Sequence, residues 1–471
     1  MKPNQPVFKV LYLLLSVMCT CQSLVHAQPQ KGLADEVHMR SILQKVDSLI
    51  ESKYVMIDNA KAFADAFRKK YLAGVYDSIV DARILGERVT ADLQAITHDK
   101  HITFRTIESS DVGEQVESNL HHPVRYYRMR MNEHTGFTKL EWIDGNIGYL
   151  ELRRFNLLSE AKEMLGVAMK FLAGANAIIV DLRENGGGSG DYLSSYFLPH
   201  PTQLTGSYYR EGNELQESWT SRTIEGERML DVPLFVLTSK KTFSAAESFA
   251  YDMKVRKRAT LVGDSTKGGA HDVGYFKIDD QFEMYLSIGR GVNPVTNTNW
   301  EGIGVVPDIF VPASAALDTA IVLAREAAEE FGKQKDDQLK QGIERMEIHL
   351  AHAERLYREN NAVPAKASLD SVFHIGGRLG LITEFFINVL AYNYYSDRSE
   401  EILFAVLNKS IELFPQSSAA FETLASTYYD FGKEDLALDN YRKVLELDPD
   451  NTNAQKRLKR LSEKHERRYD N

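Results

Sequence analysis

The chain has 471 residues, 43% hydrophobic and 26% charged, the balance of ordinary globular domains, and at roughly 150 residues per domain it should hold about three. That composition excludes a largely disordered, collagen-like or multispan membrane protein. The formal net charge of −10 implies no basic surface and argues against a nucleic-acid partner. Two cysteines, Cys19 and Cys21, provide neither a disulfide scaffold nor a cysteine zinc site.

Both cysteines fall at the end of one apolar run. Lys2 and Lys9 precede Val10 to Met18, and Val25-His26-Ala27 offers small residues at the two positions a signal peptidase reads. The pattern predicts a signal peptide over residues 1–27 and export to a periplasmic or extracellular space. The run is too short to span a bilayer. Met18 and Thr20 are poor residues ahead of a lipidated cysteine, which disfavours a lipoprotein. Cleavage after Ala27 leaves a mature chain without cysteine and without a transmembrane span. Catalysis must then draw on Ser, His, Asp, Glu or Lys.

Residues 28–104 read as a helical bundle. Val37, Ile42, Leu43, Val46, Leu49 and Ile50 recur at helical spacing, and two further amphipathic stretches cover Ala62 to Leu72 and Ile84 to Ile96. Strand signals begin after His101, where Ile102, Phe104 and Thr106 alternate, and continue at Tyr126 to Met131 and Ile147 to Leu152. Ala161 to Leu172 is helical. Ala177 to Val180, Pro233 to Thr238 and Thr260 to Val262 are short continuous apolar runs of the kind a doubly covered central strand requires. Ser244 to Met253 reads as helix. Strands alternating with helices predict an α/β core over residues 105–325.

Residues 335–465 read as helix throughout. Pro415 and Pro449 each close a Glu-Leu-x-Pro segment, and the interval between them is the same as that between Tyr394 and Tyr428. That interval is the period of a tetratricopeptide repeat, and Ala425, Tyr428, Gly432, Ala437 and Tyr441 sit where such a repeat places its small and aromatic packing residues. The repeat over 417–450 is a good match. The one before it is degenerate, with Arg398 at the turn glycine. An all-α tetratricopeptide array is therefore expected, with an ordinary helical bundle as its rival.

Three segments of the α/β core could carry chemistry. Asp181-Leu182-Arg183-Glu184-Asn185-Gly186-Gly187-Gly188 follows a buried strand, and consecutive glycines let main-chain amides approach a ligand. No Gly-Lys-Ser/Thr follows, so it is no phosphate loop. Ser244 lies where a strand turns into a helix, at the positive end of the helix dipole; it also reads as an N-cap whose capping-box partner is Glu247. Asn299 to Asp308 is a loop before a strand, with Glu301 in it.

Together, the order DLRENGGG, TFSAAE, GDSTKGG, EGIGVVPDI resembles the S41 family of C-terminal-processing (tail-specific) serine peptidases over roughly residues 145 to 315. It is closest to the branch that holds interphotoreceptor retinoid-binding protein and the tricorn core. The resemblance implies a crotonase-like ββα sheet with flanking helices. It also implies Ser244 as nucleophile and the amides of Gly188 and Ala245 as the oxyanion hole. Many members use a lysine downstream of the serine. Gly269 stands at that position here, and Lys267, two residues earlier, is the alternative base. The tricorn-like branch implies instead a histidine from an earlier segment, matched by His101 in Asp99-Lys100-His101-Ile102, and a glutamate, matched by Glu301. Serine, imidazole and carboxylate form a coherent hydrolytic set. His98 competes with His101, and the two would share a face if the helix persisted, so a metal site is the remaining reading; none is expected. His121, His122 and His271 read as loop residues without a role.

Only about 45 residues separate His101 from Gly148, whereas a PDZ domain needs roughly 90, so no PDZ insertion is expected. The expectation is thus an exported serine endopeptidase without cofactor, acting on peptides or unfolded protein tails, with a partner surface on the repeats. The rival is a non-catalytic peptide or apolar-ligand binder on the same fold.

Overall fold

The computed structural model describes residues 36–107, 134–189 and 192–469. The segment read as a signal peptide and the strand read at Tyr126 to Met131 lie outside them. The chain divides into two compact units, residues 1–331 and 332–471.

The first unit opens with α1 (Glu36–Lys53), α2 (Ile57–Leu72) and α3 (Ala82–Thr97). Their apolar stripes do not close on one another alone. Phe67, Leu85 and Val89 share one core with Ile102, with Phe104 of β1 (Thr103–Thr106) and with Phe282, Met284 and Leu286 of β10 (Phe282–Val292). The bundle therefore caps an antiparallel sheet in the order β1-β10-β5-β6, with β5 at Gln203–Tyr209, β6 at Glu214–Trp219, and β9 (His271–Lys277) also paired with β10. β6 is an edge strand, and all six of its residues are exposed.

The second sheet runs β11-β8-β7-β4-β3-β2. It comprises β2 (Phe137–Ile143), β3 (Ile147–Leu152), β4 (Ala177–Asp181), β7 (Leu234–Thr238), β8 (Thr260–Gly263) and β11 (Ile309–Phe310). All pairs but β2–β3 are parallel. The period of two explains the unbroken apolar runs. Ile178, Val180, Leu234 and Val236 face one core, with Leu165 and Met169 of α4 (Leu158–Leu172) and Phe249 and Met253 of α6 (Ala245–Val255). Ala177, Ile179, Phe235 and Leu237 face the other, under Ala316, Ala320, Ala324 and Ala328 of α7 (Ala316–Arg358). Alanine at every fourth position lets that helix lie close on the sheet. A four-residue helix, α5, spans Ser194–Phe197.

The second unit is all helix: the end of α7, then α8 (Ala362–Arg378), α9 (Glu384–Ser396), α10 (Glu400–Leu413), α11 (Ser418–Asp430), α12 (Glu434–Leu447) and α13 (Thr452–Tyr469). Leu424, Ala425, Tyr428, Ala437 and Tyr441 lie in its core. Arg398 and Gly432, at equivalent places in successive helix pairs, both take a positive φ, 57° and 71°. The arginine thus adopts the left-handed turn that glycine makes in the next pair. Among the described residues no helix is long and apolar enough to cross a membrane.

Candidate active site

Parallel strands deliver the candidate residues to one place. β4, β7 and β8 are neighbours in register, and the loops leaving their carboxyl ends carry Gly186 to Gly188, Ser244 and Gly268 to His271. Ligand sites in open α/β sheets form outside the carboxyl ends of such strands.

Hydrogen bonds stitch the loops together. Asn185, fully buried, donates from Nδ2 to Leu152 O (2.8 Å) and accepts the Gly187 N–H on Oδ1 (2.8 Å). Its own carbonyl accepts from Phe243 N–H (3.0 Å). Thr242 Oγ1 donates to Leu182 O (2.8 Å). At Gly188 φ is +140°, and a Cβ there would collide with the Phe155 carbonyl. Only glycine fits. Gly187 lies against the Ser244 turn: a Cβ on it would stand 2.8 Å from Ser244 Cβ and 3.2 Å from Ala245 N.

Ser244 is the N-cap of α6, at φ 55°, ψ −119°. A residue with a Cβ pays about 1–3 kcal/mol for such a backbone. Glu247 holds it there. Its Oε2 accepts from Ser244 N–H (2.9 Å) and Gly269 N–H (2.9 Å), and its Oε1 from Gly268 N–H (2.6 Å) and Thr266 Oγ1. The capping-box carboxylate therefore clamps the serine turn to the loop after β8. Burial pushes the Glu247 carboxyl up, and these four donors work against it.

Ser244 and Ala245 line a cleft of about 290 Å³ with Gly188, Gly269, His271, Asp272 and Gln216 to Ser218 of β6. The nearby main-chain donors are spent at Gly187, Ser189, Ser244 and Ala246. No hydrogen bond of the described residues engages the amides of Gly188 and Ala245.

His101 lies beside this cleft. Its ring stacks on Phe243, the residue before the serine, with centroids 4.3 Å apart. Both ring nitrogens are buried and make no hydrogen bond. Burial drives its pKa down to about 4, against the pull of Asp99, with the charges of His271 and Lys267 lowering it further. The imidazole is neutral at pH 7.

Glu301 does not pair with His101. It accepts the Ala270 N–H on Oε2, and that oxygen lies 3.8 Å from His271 Nδ1. The cause is the packing of its loop on residues 266–270: Trp300 Nε1 donates to Gly269 O (2.8 Å), and Val305 N–H donates to Thr266 Oγ1 (2.7 Å). Burial raises the Glu301 carboxyl to about 6, against the pull of His271 and the Ala270 amide.

His271, given no role by its sequence context, enters the cleft. Its Nδ1 is 2.8 Å from Asp99 Oδ2. Burial disfavours its cation, but the Asp99 hydrogen bond and the charges of Asp99, Glu301 and Asp272 outweigh burial and raise its pKa. The missed signal was the placement of His271 at the start of a strand directly after the Gly268-Gly269 loop.

His98 and His101 do not share a helical face. α3 ends at Thr97, and His98 caps it in the left-handed conformation, exposed. Lys267 is exposed too, its Nζ 4.5 Å from the Phe243 ring centroid. Asp99, His271 and Glu301 place one ligating atom each within 4.8 Å of one another, the grouping among the described residues that could seat a cation. In the present geometry His271 Nδ1 is bonded to Asp99 Oδ2 and Glu301 Oε2 to the Ala270 N–H, while Glu301 Oε1 is buried without a hydrogen-bond partner.

Comparison with known proteins places these motifs. Residues 146–311 match peptidase family S41, and residues 33–140 match the N-terminal domain of that family in eukaryotic interphotoreceptor retinoid-binding protein. The chain is 30% identical over 177 residues to carboxyl-terminal-processing peptidase 2, chloroplastic, of Arabidopsis thaliana, covering 36% of this chain and 33% of that protein. It is 31% identical over 171 residues to a carboxyl-terminal-processing protease of Synechocystis sp., covering 35% and 38%. The chain thus spans little more than a third of the length of these relatives. Among solved structures, the photosystem II D1 C-terminal processing protease superposes with a TM-score of 0.37 at 14% identity, over 58% of this chain and 93% of that one. Through residues 146–311, the chain carries a peptidase family S41 domain.

Proposed function

We propose that the chain is a serine endopeptidase with Ser244 as nucleophile. The observation that carries this is the backbone at Ser244: a strained turn at the head of α6, held by Glu247, with two uncommitted amides beside it. Strain of that kind persists where the surroundings over-determine it and function needs it. Ser244 Oγ attacks the scissile carbonyl. The amides of Gly188 and Ala245 take the oxyanion, a contribution of about 3 kcal/mol per donor in such sites. His101 is the general base. Its neutral state and its contact with Phe243 support that role, and because neither ring nitrogen has a hydrogen-bond partner it must turn within its niche to accept from Oγ. Glu301 acts through its hold on the loop at Ala270 and its charge beside His271. Lys267, exposed on the Phe243 ring, is not the base.

Substrates are peptides or unfolded protein tails. The exposed edge strand β6 supports this, because its residues Gln216 to Ser218 form a cleft wall along which an extended peptide can add. The N-terminal pattern supports export. The buried small and aromatic residues of α11 and α12, with the matched turns at Arg398 and Gly432, support a tetratricopeptide array that presents a partner surface.

The test is hydrolysis of an unfolded protein by purified wild type and Ser244→Ala. Wild-type cleavage that disappears in the variant is expected. Equal cleavage by both refutes the assignment, and wild-type binding without cleavage points to the non-catalytic binder.

A further inference from the structure

The cleft holds an imidazole that a one-histidine mechanism leaves idle. His271 opens β9, on the loop that Glu247 clamps to Ser244. It lines the cleft with Ser244, Gly188 and Ala245. Its Nδ1 is taken by Asp99 Oδ2, 2.8 Å away, so Nδ1 carries a proton and Nε2 is the nitrogen left for the cleft. Asp99 is itself held on further sides. Its Oδ1 accepts the His101 N–H (2.9 Å), and its Oδ2 accepts from Tyr54 Oη (3.2 Å). A buried carboxylate that fixes Nδ1 of a histidine, in a cleft that the histidine and a serine line together, is the kind of arrangement that orients a catalytic imidazole.

The two histidines of the site sit in opposite surroundings. Asp99 lies beside both, but His101 rests on an aromatic ring, its Nδ1 3.9 Å from Asp99 Oδ1 and neither ring nitrogen hydrogen-bonded. His271 is faced by Asp99 from the loop after α3, Glu301 from the loop before β11, Asp272 on its own strand and Tyr54 at the end of α1. Arg290, opposite His271 in the β10 ladder, is turned onto the Tyr208 ring.

Resting on the serine-peptidase reading above, we infer that His271 is a second catalytic histidine, the acid that protonates the departing amine while His101 serves as the base. The cycle starts from neutral His101 and doubly protonated His271, the form that the carboxylates of Asp99, Glu301 and Asp272 favour. In acylation the Ser244 proton passes to His101 as the Oγ–C bond forms. The C–N bond then breaks, and the leaving nitrogen takes the proton from His271 Nε2. In deacylation the now neutral His271 takes a proton from the attacking water. The C–Oγ bond breaks, and His101 returns its proton to Oγ. Both histidines end as they began, and one water has been consumed per peptide bond. The opposite displacements of the two imidazoles, His101 down to about 4 and His271 upward, match this division of labour.

The leaving group separates this role from a structural one. An amine cannot depart without a proton, whereas nitrophenolate can. The experiment compares acylation of full-length enzyme by a peptide amide and by the p-nitrophenyl ester of the same acyl group, in single turnover, for wild type and His271→Asn. Asparagine keeps a donor toward Asp99 and has nothing at the Nε2 position. Amide acylation should fall by at least about 100-fold and ester acylation by less than about fivefold. Equal losses on the two substrates, or amide acylation within about threefold of wild type, overturn the inference. Should His271→Asn lose its near-ultraviolet circular dichroism, His271→Gln is read by the same criterion. Ser244→Ala run alongside separates the two claims: acylation that survives it refutes the serine reading itself, as does a wild type that acylates on neither substrate.

Discussion

Glu247 offers the sharpest test of how the site is built. Its carboxylate is fully buried and accepts four hydrogen bonds: Ser244 N–H and Gly269 N–H on Oε2, Gly268 N–H and Thr266 Oγ1 on Oε1. All four partners donate. Glutamine keeps the volume but turns one oxygen into a donor. Placed at Oε2, the new NH₂ would face two backbone N–H groups. At Oε1 it faces only one, because the Thr266 hydroxyl can rotate. The amide will settle that way, leaving Gly268 N–H without an acceptor. One buried unmet donor plus the lost charge assistance amounts to about 2–3 kcal/mol. Alanine abandons all four donors, and even with relaxation and water entry the loss should exceed about 4 kcal/mol. Urea unfolding followed at the first unit's tryptophans should rank wild type above Glu247→Gln above Glu247→Ala by those intervals. Peptide hydrolysis by Glu247→Gln should drop by about 100-fold in kcat, since the tether on Ser244 is loosened. A Glu247→Gln variant as stable and active as wild type would refute the clamp. Equal stability of the two variants would refute the count of donors.

Three further outcomes are expected. Ser244→Gly should abolish hydrolysis yet raise stability by about 1 kcal/mol, because relief of about 1–3 kcal/mol of strain at φ 55° exceeds the added entropy of an unfolded glycine; a lower thermal midpoint would contradict the strain. Gly188→Ala should lose activity even though the serine remains, since its Cβ must displace the Phe155 carbonyl and with it the amide of the proposed oxyanion hole; kcat within about tenfold of wild type would argue against that amide. His101 is held neutral, near 4 against an unfolded value of about 6.5, so its contribution is complete above 6.5 and is lost as pH falls toward 4. Between pH 7 and 4.5 wild type should lose roughly 2–3 kcal/mol more stability than His101→Asn, which cannot titrate there. Equal pH dependence of the two would place His101 in a wetter setting.

The parts of this molecule legible from sequence are those whose cause is local. The apolar runs at Ala177 to Val180 and Pro233 to Thr238 betray strands covered on both faces, and both core clusters of the parallel sheet show why. The three helices before His101 were visible in their spacing. Their shared core with β1 and β10 was not, because the packing partners Phe104 and Met284 belong to a sheet assembled from remote stretches of the chain. The same limit governs the site. Gly187 and Ser244 declared themselves by motif. Pairings between remote loops did not: Glu301 lies beside His271 instead of His101, and His271 meets Asp99 across 172 residues. Helical periodicity also misleads at a boundary. His98 and His101 look like one face until the chain turns left-handed at His98 and sends them apart.

The two readings of Ser-x-x-Glu, helix cap and proposed catalytic turn, rest on one device. An ordinary capping-box glutamate satisfies a single donor at its own helix end. Here the same side chain reaches past the helix to the loop after β8, so the amide of Ser244 and that of Gly269 share one oxygen. That sharing, together with the Lys267 N–H donated to Thr242 O (3.0 Å), fixes the distance between the turn bearing the serine and the loop that leads to His271. A buried charge is costly, and four donors are needed to hold it. On the proposed mechanism the cost is tolerated because the carboxylate sets the position of Ser244 relative to the imidazoles. A cap that served only the helix could be replaced by aspartate or glutamine at the surface with little effect; this one cannot, and the difference lies in its partners 19 to 22 residues downstream.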